Sequence, residues 1–304
     1  MPCTSRSPWE AMRSADRNKE EMLALDITPE EVHRRQLRAA QLRAAVQALR
    51  ADGVVVLNQV VDLGHLEVLH DKMLEDLAAL QARQDAPYNW NKGNIQQDPP
   101  PFPPYLFRDI LLNDLAVAVS RAVLGAGLTN GFYSGNTALP GKERQPVHAD
   151  SGQLWPDLAA AHPACQLVVN IPVVDMTPQN GSTEIWPGTH LDTTIVAGGD
   201  IKVPAALVEQ RRSVVPPFQP VVRRGSILIR DMRLWHAGMP NLTAQPRPMI
   251  ATTHSARWLR LGKPLLFPKG TEALFQGSDL TTHVQFVGGP IDYIRQPQAY
   301  EYEQ

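Results

Sequence analysis

From Gly125 onward the chain is cut into short apolar, β-branched pieces separated by Gly, Pro, Asn and Asp. These pieces fall at 131–138, 166–174, 182–186, 221–222, 226–230 and 249–255. Such residues suit a pleated, half-buried surface, and the punctuating residues end it. Strands do not alternate with helices here. A doubly wound parallel sheet is therefore disfavoured, and an all-β sandwich or barrel is expected. Proline points the same way. The chain carries 27 prolines in 304 residues, and each lacks a backbone donor and breaks a helix interior. An all-helical bundle is excluded.

The first 124 residues read differently. Residues 1–27 are expected to be a mobile arm. Thr28-Pro29-Glu30-Glu31 then opens a helix: Thr28 caps it, Pro29 suits its first position, and Glu31 completes a capping box. The helix is expected over 28–50, with Gly53 as its stop and a buried strand at 54–57. Asp62 caps a second helix to about residue 80, because Leu66, Leu69, Met73, Leu77 and Leu80 recur every three or four residues. The stretch 85–104 is rich in Asn, Gln and Pro and reads as a long functional loop, its Pro99–Pro104 run bordering the site's mouth. A helix resumes over 109–124. The expected fold class is mainly β with a helical layer (α+β), organised as one domain over 28–304 with a β core about 125–260.

Composition narrows the partners. A formal net charge of −2 is unsuited to a dedicated nucleic-acid or membrane-surface binder. No apolar run approaches the ~18–20 residues of a membrane span. Cys3 and Cys165 sit in no metal-ligand spacing, so a disulfide framework is not expected and a reducing compartment is. Residues 1–20 mix Arg, Asp and Glu without an apolar stretch, unlike a secretory or transit segment. A cytoplasmic protein acting on a small molecule is the expectation. The pattern sets no oligomeric state.

Among nine histidines, most suit packing or surface roles. His33, His65 and His70 fall in expected helices, and His162, His254 and His283 have no partner at ligand spacing. His148-Ala149-Asp150 differs. On an extended chain, residues i and i+2 share a side, so an imidazole and a carboxylate project together. That is two thirds of the two-His, one-carboxylate set that holds non-haem iron with open positions opposite. His236, directly after the 226–230 piece, can supply the second imidazole. Arg247 opens the next strand between Pro246 and Pro248, and a guanidinium there can grip a carboxylate through two parallel bonds. Singly, each has a plainer reading: a chance H-x-D, a buried turn histidine, a surface ion pair. Jointly those readings lose force.

The set His148-x-Asp150, His236 and Arg247 resembles the phytanoyl-CoA dioxygenase superfamily of Fe(II)/2-oxoglutarate-dependent oxygenases. The segment Asn180-Gly-Ser-Thr-Glu-Ile-Trp-Pro-Gly-Thr-His190 is similar to that family's stretch between the two ligand motifs, and 52–57 is similar to its N-terminal part. The resemblance implies a double-stranded β-helix, or cupin-like jelly roll, with the N-terminal helices packed outside. It implies Fe(II) held by His148, Asp150 and His236, and 2-oxoglutarate paired through Arg247, with Gln145 and Thr183 as further contacts. It implies use of O2, release of succinate and CO2, and hydroxylation as the default outcome. Related halogenases lack the carboxylate ligand, so Asp150 disfavours halogenation. His190 is expected to order the loop beneath the site.

Candidate substrate-wall residues are Trp155, Tyr88 and Trp90, with Trp258 further on. The pairs Arg211-Arg212 and Arg223-Arg224 are isolated and suit solvent, so no cluster marks a CoA phosphate site. A small or mid-sized secondary metabolite is the expected substrate. The rival readings are a cupin-type metal enzyme that does not use 2-oxoglutarate and a non-catalytic binding protein on the same fold.

Overall fold

The computed structural model describes residues 22–300. Its helices are α1 Pro29–Arg34, α2 Ala39–Ala51, α3 Leu63–Gln81, α4 Arg108–Leu111, α5 Asp114–Leu124 and α6 Ala205–Val214. The strands of the first half are β1 Ala24–Asp26, β2 Val54–Asn58, β3 Tyr88–Asn89, β4 Asn91–Gln96, β5 Leu128–Asn130 and β6 Tyr133–Ala138. Those that follow are β7 Gln166–Pro172, β8 Glu184–Ile185, β9 Ile227–Asp231, β10 His236–Ala237, β11 Met249–Ser255, β12 Leu265–Pro268, β13 Leu280–Thr282 and β14 Val284–Val287. The protein is thus a mixed α+β structure built on a large, mostly antiparallel sheet.

That sheet runs in the order β1-β2-β9-β7-β11-β6-β4-β3, with β5 and β13 branching from β11. Two small sheets, β8–β10 and β12–β14, complete the strands among the described residues. The large sheet has two different faces because side chains alternate along each strand. Leu167, Val169 and Ile171 of β7, with Ile227 and Ile229 of β9, join the buried apolar cluster that includes Ala45, Leu49, Leu66, Met73, Leu115 and Val119 of the helices. Val168, Asn170, Leu228 and Arg230 alternate with them and face a cavity. Burying each Leu or Ile contributes about 1.5–3 kcal/mol, so the helical layer clamps one face and leaves the other available for chemistry.

Several expectations need correction. The single helix over 28–50 is two. Thr28 and Glu31 do form the capping box of α1, but Arg35 turns left-handed at φ 53° and ends it. The Glu31 carboxylate also accepts the Arg38 N–H at 2.8 Å, which ties down the start of α2. The arm expected over 1–27 stops short of its stated end, since Ala24–Asp26 pair in parallel with β2; residues 1–21 lie outside the described residues. The loop over 85–104 contains β3 and β4, whose alternation was hidden because Asn89, Asn94 and Gln96 turn polar side chains to the cavity. Pro99–Pro104 do not line that cavity; Phe102 instead packs edge-on against Tyr105 and Tyr293. Val221 and Val222 form no strand, and only an isolated bridge joins Val222 to Met176. By contrast, α3 starts where the capping argument put it, with Asp62 accepting from the Gly64 and His65 N–H groups.

Candidate functional site

His148 and His236 are brought together by backbone pairing. The His148 N–H donates to the His236 carbonyl at 3.0 Å and the His236 N–H returns the bond at 2.8 Å. His236 in turn pairs with Ile185 of β8. The bridge sets the two rings 4.3 Å apart and tilted by 51°. Asp150 Oδ1 lies 3.4 Å from His236 Nε2 and 4.0 Å from His148 Nε2. Among the described residues these three form a group able to hold a metal ion, with ligand atoms within 4.8 Å of one another.

The donor set suits a divalent metal. His148 Nδ1 faces the Pro146 carbonyl at 2.8 Å, and His236 Nδ1 faces the Leu234 carbonyl at 3.0 Å. A carbonyl only accepts, so each Nδ1 carries the proton and each Nε2 keeps a lone pair toward Asp150. Burial, helped by the neighbouring His236, pushes His148 down to about 3, so its ring is neutral at physiological pH. Burial pushes the Asp150 carboxyl up, but the Arg230 guanidinium bonded to it outweighs that and holds the group well below the usual range. Two imidazoles and one carboxylate on one side are the facial arrangement that suits non-haem iron.

Arg247 lies on the same cavity wall. Its backbone pairs with Ala138, and its side chain donates to the carbonyls of Asn180 at 3.1 Å and Gly181 at 2.8 Å. Gly181 is required there. Its φ is +76°, and a Cβ would meet the Met239 carbonyl at 2.5 Å. Arg247 Nη1 is buried without a partner, and no carboxylate forms an ion pair with it among the described residues. Burial lowers this guanidinium to about 10. A buried charge with a free donor is costly unless a ligand completes it. Gln145 and Thr183 line the same cavity, and Gln145 Oε1 accepts the Gly238 N–H at 2.8 Å.

The cavity holds about 720 Å³. Trp90 lines it, tilted against His148 at 5.1 Å, from a turn residue held at φ 68°. Residues 296–300 close one side. Tyr300 crosses the Trp90 ring at 5.0 Å, and the Trp90 N–H donates to its carbonyl at 2.8 Å. Arg83 Nη1 holds this tail through the carbonyls of Ile294 and Pro297. Tyr88 and Trp155 do not line the cavity. Tyr88 packs behind it against Leu77, Leu80, Ile95 and Leu139, and Trp155 is 54% exposed beside His162. Trp258 is 63% exposed. His190 is buried against Gly53, with Nε2 facing the Arg50 carbonyl at 3.3 Å, and so braces the 180–190 segment on the α2–β2 junction.

Sequence reasoning missed Arg230, Asn170, Asp98 and the tail. Arg230 donates to Asp150 Oδ2 and to Asn170 Oδ1. The signal was present: a charged residue at the end of an otherwise apolar run, where alternation aims it at the cavity face.

The profile of the family described as "Phytanoyl-CoA dioxygenase (PhyH)" matches residues 49–249. A curated relative, "Dioxygenase af480" of Aspergillus fumigatus, is 28% identical over 221 residues, covering 70% of this chain and 66% of that protein. In fold the chain is similar to the crystal structure of AviO1 from Streptomyces viridochromogenes, with TM-score 0.55 and 19% identity over 74% of this chain and 99% of that one. It is also similar to EvdMO1, with TM-score 0.52 and 21% identity over 71% of this chain and 50% of that one.

Proposed function

The chain belongs to the phytanoyl-CoA dioxygenase family, and on that premise we propose that it is an Fe(II)- and 2-oxoglutarate-dependent oxygenase that oxidises, by default hydroxylates, a small or mid-sized organic substrate of secondary metabolism. The proposed architecture is one domain that takes in β1 from Ala24 onward, around a double-stranded β-helix core. The large sheet and the facing β8–β10 ladder that carries His236 support it. His148, Asp150 and His236 would hold the ferrous ion. When bound, that ion with 2-oxoglutarate and O2 supplies an oxidative decarboxylation to succinate and CO2 that is coupled to attack on a C–H bond.

The residues of the chain supply binding and order. Carbonyl partners at Pro146 and Leu234 keep the Nδ1 protons in place, which leaves both Nε2 lone pairs toward the metal position. Arg247, already held by two carbonyls, presents its unpartnered Nη1 for the far carboxylate of the cosubstrate. Gln145 and Thr183 wall the same space. Trp90 and Tyr300 cover the His148 side and limit entry of water.

The observation that carries this reading is the pairing, in one cavity, of a two-His, one-carboxylate cluster with a buried arginine that has no acidic partner among the described residues. A cupin-type enzyme without 2-oxoglutarate has no use for that arginine. Anaerobic titration of the protein with Fe(II) and then 2-oxoglutarate tests it. The weak visible absorption of an iron–2-oxoglutarate chelate should appear, and be lost in His148→Ala, Asp150→Ala and His236→Ala. A substrate panel read by mass should give products changed by one oxygen or two hydrogens. Absence of both the band and succinate refutes the proposal.

A further inference from the structure

Asp98 faces the same cavity as the metal cluster but from the opposite flank. The sheet register gives the separation. Ala251 of β11 pairs with Ser134 of β6 on one side and with Asn170 of β7 on the other. Adjacent strands are about 4.8 Å apart, so Ser134 and Asn170 stand about 10 Å apart on one face. Asn170 contacts Arg230, which reaches Asp150. Ser134 contacts Asp98.

Hydrogen bonds in this flank run in one direction. Asn89 Nδ2 donates to Gln96 Oε1 at 2.9 Å, Gln96 Nε2 donates to Ser134 Oγ at 2.5 Å, and Ser134 Oγ donates to Asp98 Oδ1. Asp98 is the terminal acceptor of the chain. Among the described residues Ser134 is its hydrogen-bond partner, and no Lys, Arg or His forms an ion pair with it. Burial pushes its carboxyl up to about 6, and the Ser134 bond offsets only part of that. The carboxylate therefore sits oriented and uncompensated in a cavity also lined by the apolar Phe132, Met249 and Ala251. An apolar occupant would strand it, whereas an occupant carrying O–H or N–H groups would satisfy it.

We propose that Asp98 anchors a hydrogen-bond-donating end of the substrate, a hydroxyl or a protonated amine, so that the oxidised carbon lies several bonds away, toward the strands that carry Asn170 and Arg230. The proposal rests on the oxygenase reading of the cavity. It commits the substrate class to molecules with a donor at one end and an oxidisable carbon toward the other.

The test uses the full chain and three matched probes: phenylbutanol, phenylbutylamine and phenylbutyl methyl ether. Calorimetry at about pH 7.5 should show the alcohol or the amine binding about tenfold or more tighter than the ether, the gain expected of one charge-assisted bond. The alcohol-to-amine ranking identifies the donor. Asp98→Asn, nearly isosteric, should erase the preference while its melting temperature stays at or above wild type. Ser134→Ala, which removes the orienting bond, should reduce it. A bound donor holds the Asp98 carboxyl below its free value of about 6. The preference is therefore complete above pH 6 and lost as pH falls through it. Equal binding of the ether, a preference that survives Asp98→Asn, or no binding by any probe overturns the proposal. The iron–2-oxoglutarate band is read separately on wild-type protein, so failure of the oxygenase reading and failure of the Asp98 anchor are told apart.

Discussion

Replacing Arg247 by Met separates a ligand-binding arginine from a structural one. Burial lowers the Arg247 guanidinium from its ordinary value to about 10; at about 1.4 kcal/mol per tenfold, keeping the charge in this site costs on the order of 3 kcal/mol. Against that stand two hydrogen bonds, to Asn180 and Gly181, each contributing about 1 kcal/mol net. Methionine fills similar space and removes both the cost and the bonds. The fold should then change by only about 1 kcal/mol, a melting shift below about 4 °C. The cosubstrate should respond very differently. Truncating one partner of a buried charge pair costs about 2–5 kcal/mol, so 2-oxoglutarate affinity should fall about thirtyfold to several thousandfold. Arg233 is the control, because it is equally buried but bonded through Nε and Nη2 to Asp231 at 2.9 and 2.8 Å. Arg233→Met strands a buried carboxylate and should cost about 3–5 kcal/mol. Scanning fluorimetry reads stability, and anaerobic titration of the Fe(II)-loaded protein reads affinity. The reasoning is refuted if Arg247→Met destabilises as much as Arg233→Met, or if it binds 2-oxoglutarate within about threefold of wild type.

Other outcomes follow from the same coordinates. Gly135→Ala should cost more than about 3 kcal/mol, because its Cβ would lie 2.1 Å from the Met249 carbonyl and 3.2 Å from that of Gln97, both backbone. A soluble variant melting within a few degrees of wild type would contradict the β6–β11 packing. Trp155→Ala should leave the rate of succinate formation unchanged, since the ring stands outside the cavity. Trp90→Ala should lower that rate about two- to tenfold, the value of a lost aromatic contact. Equal effects from the two variants would show that Trp90 does not cover the site.

Local rules settled the elements whose causes are local. The α1 capping box, the Asp62 cap and the β7, β9 and β11 strands depend on short-range geometry and on alternation, both of which can be read along a chain. Arg35 escaped because its left-handed turn follows from the Glu31 carboxylate reaching Arg38, a contact between groups that helix propensity treats separately. The β3–β4 hairpin escaped because its cavity-facing residues are amides, which resemble a loop until a partner strand is present.

For the site, the types and order of His148, Asp150, His236 and Arg247 were enough to mark them as candidates, because metal and carboxylate recognition restrict which residues can serve, and all four line one cavity. Folding supplied the rest. Pairing of residue 148 with residue 236 sets the ring separation, and strand order places Arg230 beside Asp150. The same order puts Asp98 two strands and a side chain from Asn170, and it leaves Trp155 in solvent while Trp90 covers His148. The punctuated β-rich half that disfavoured a doubly wound fold carries one side chain toward the helices and the next toward the cavity. Which residue acts on a ligand depends on that alternation and on the neighbouring strand, and a neighbouring strand is a property of the folded chain.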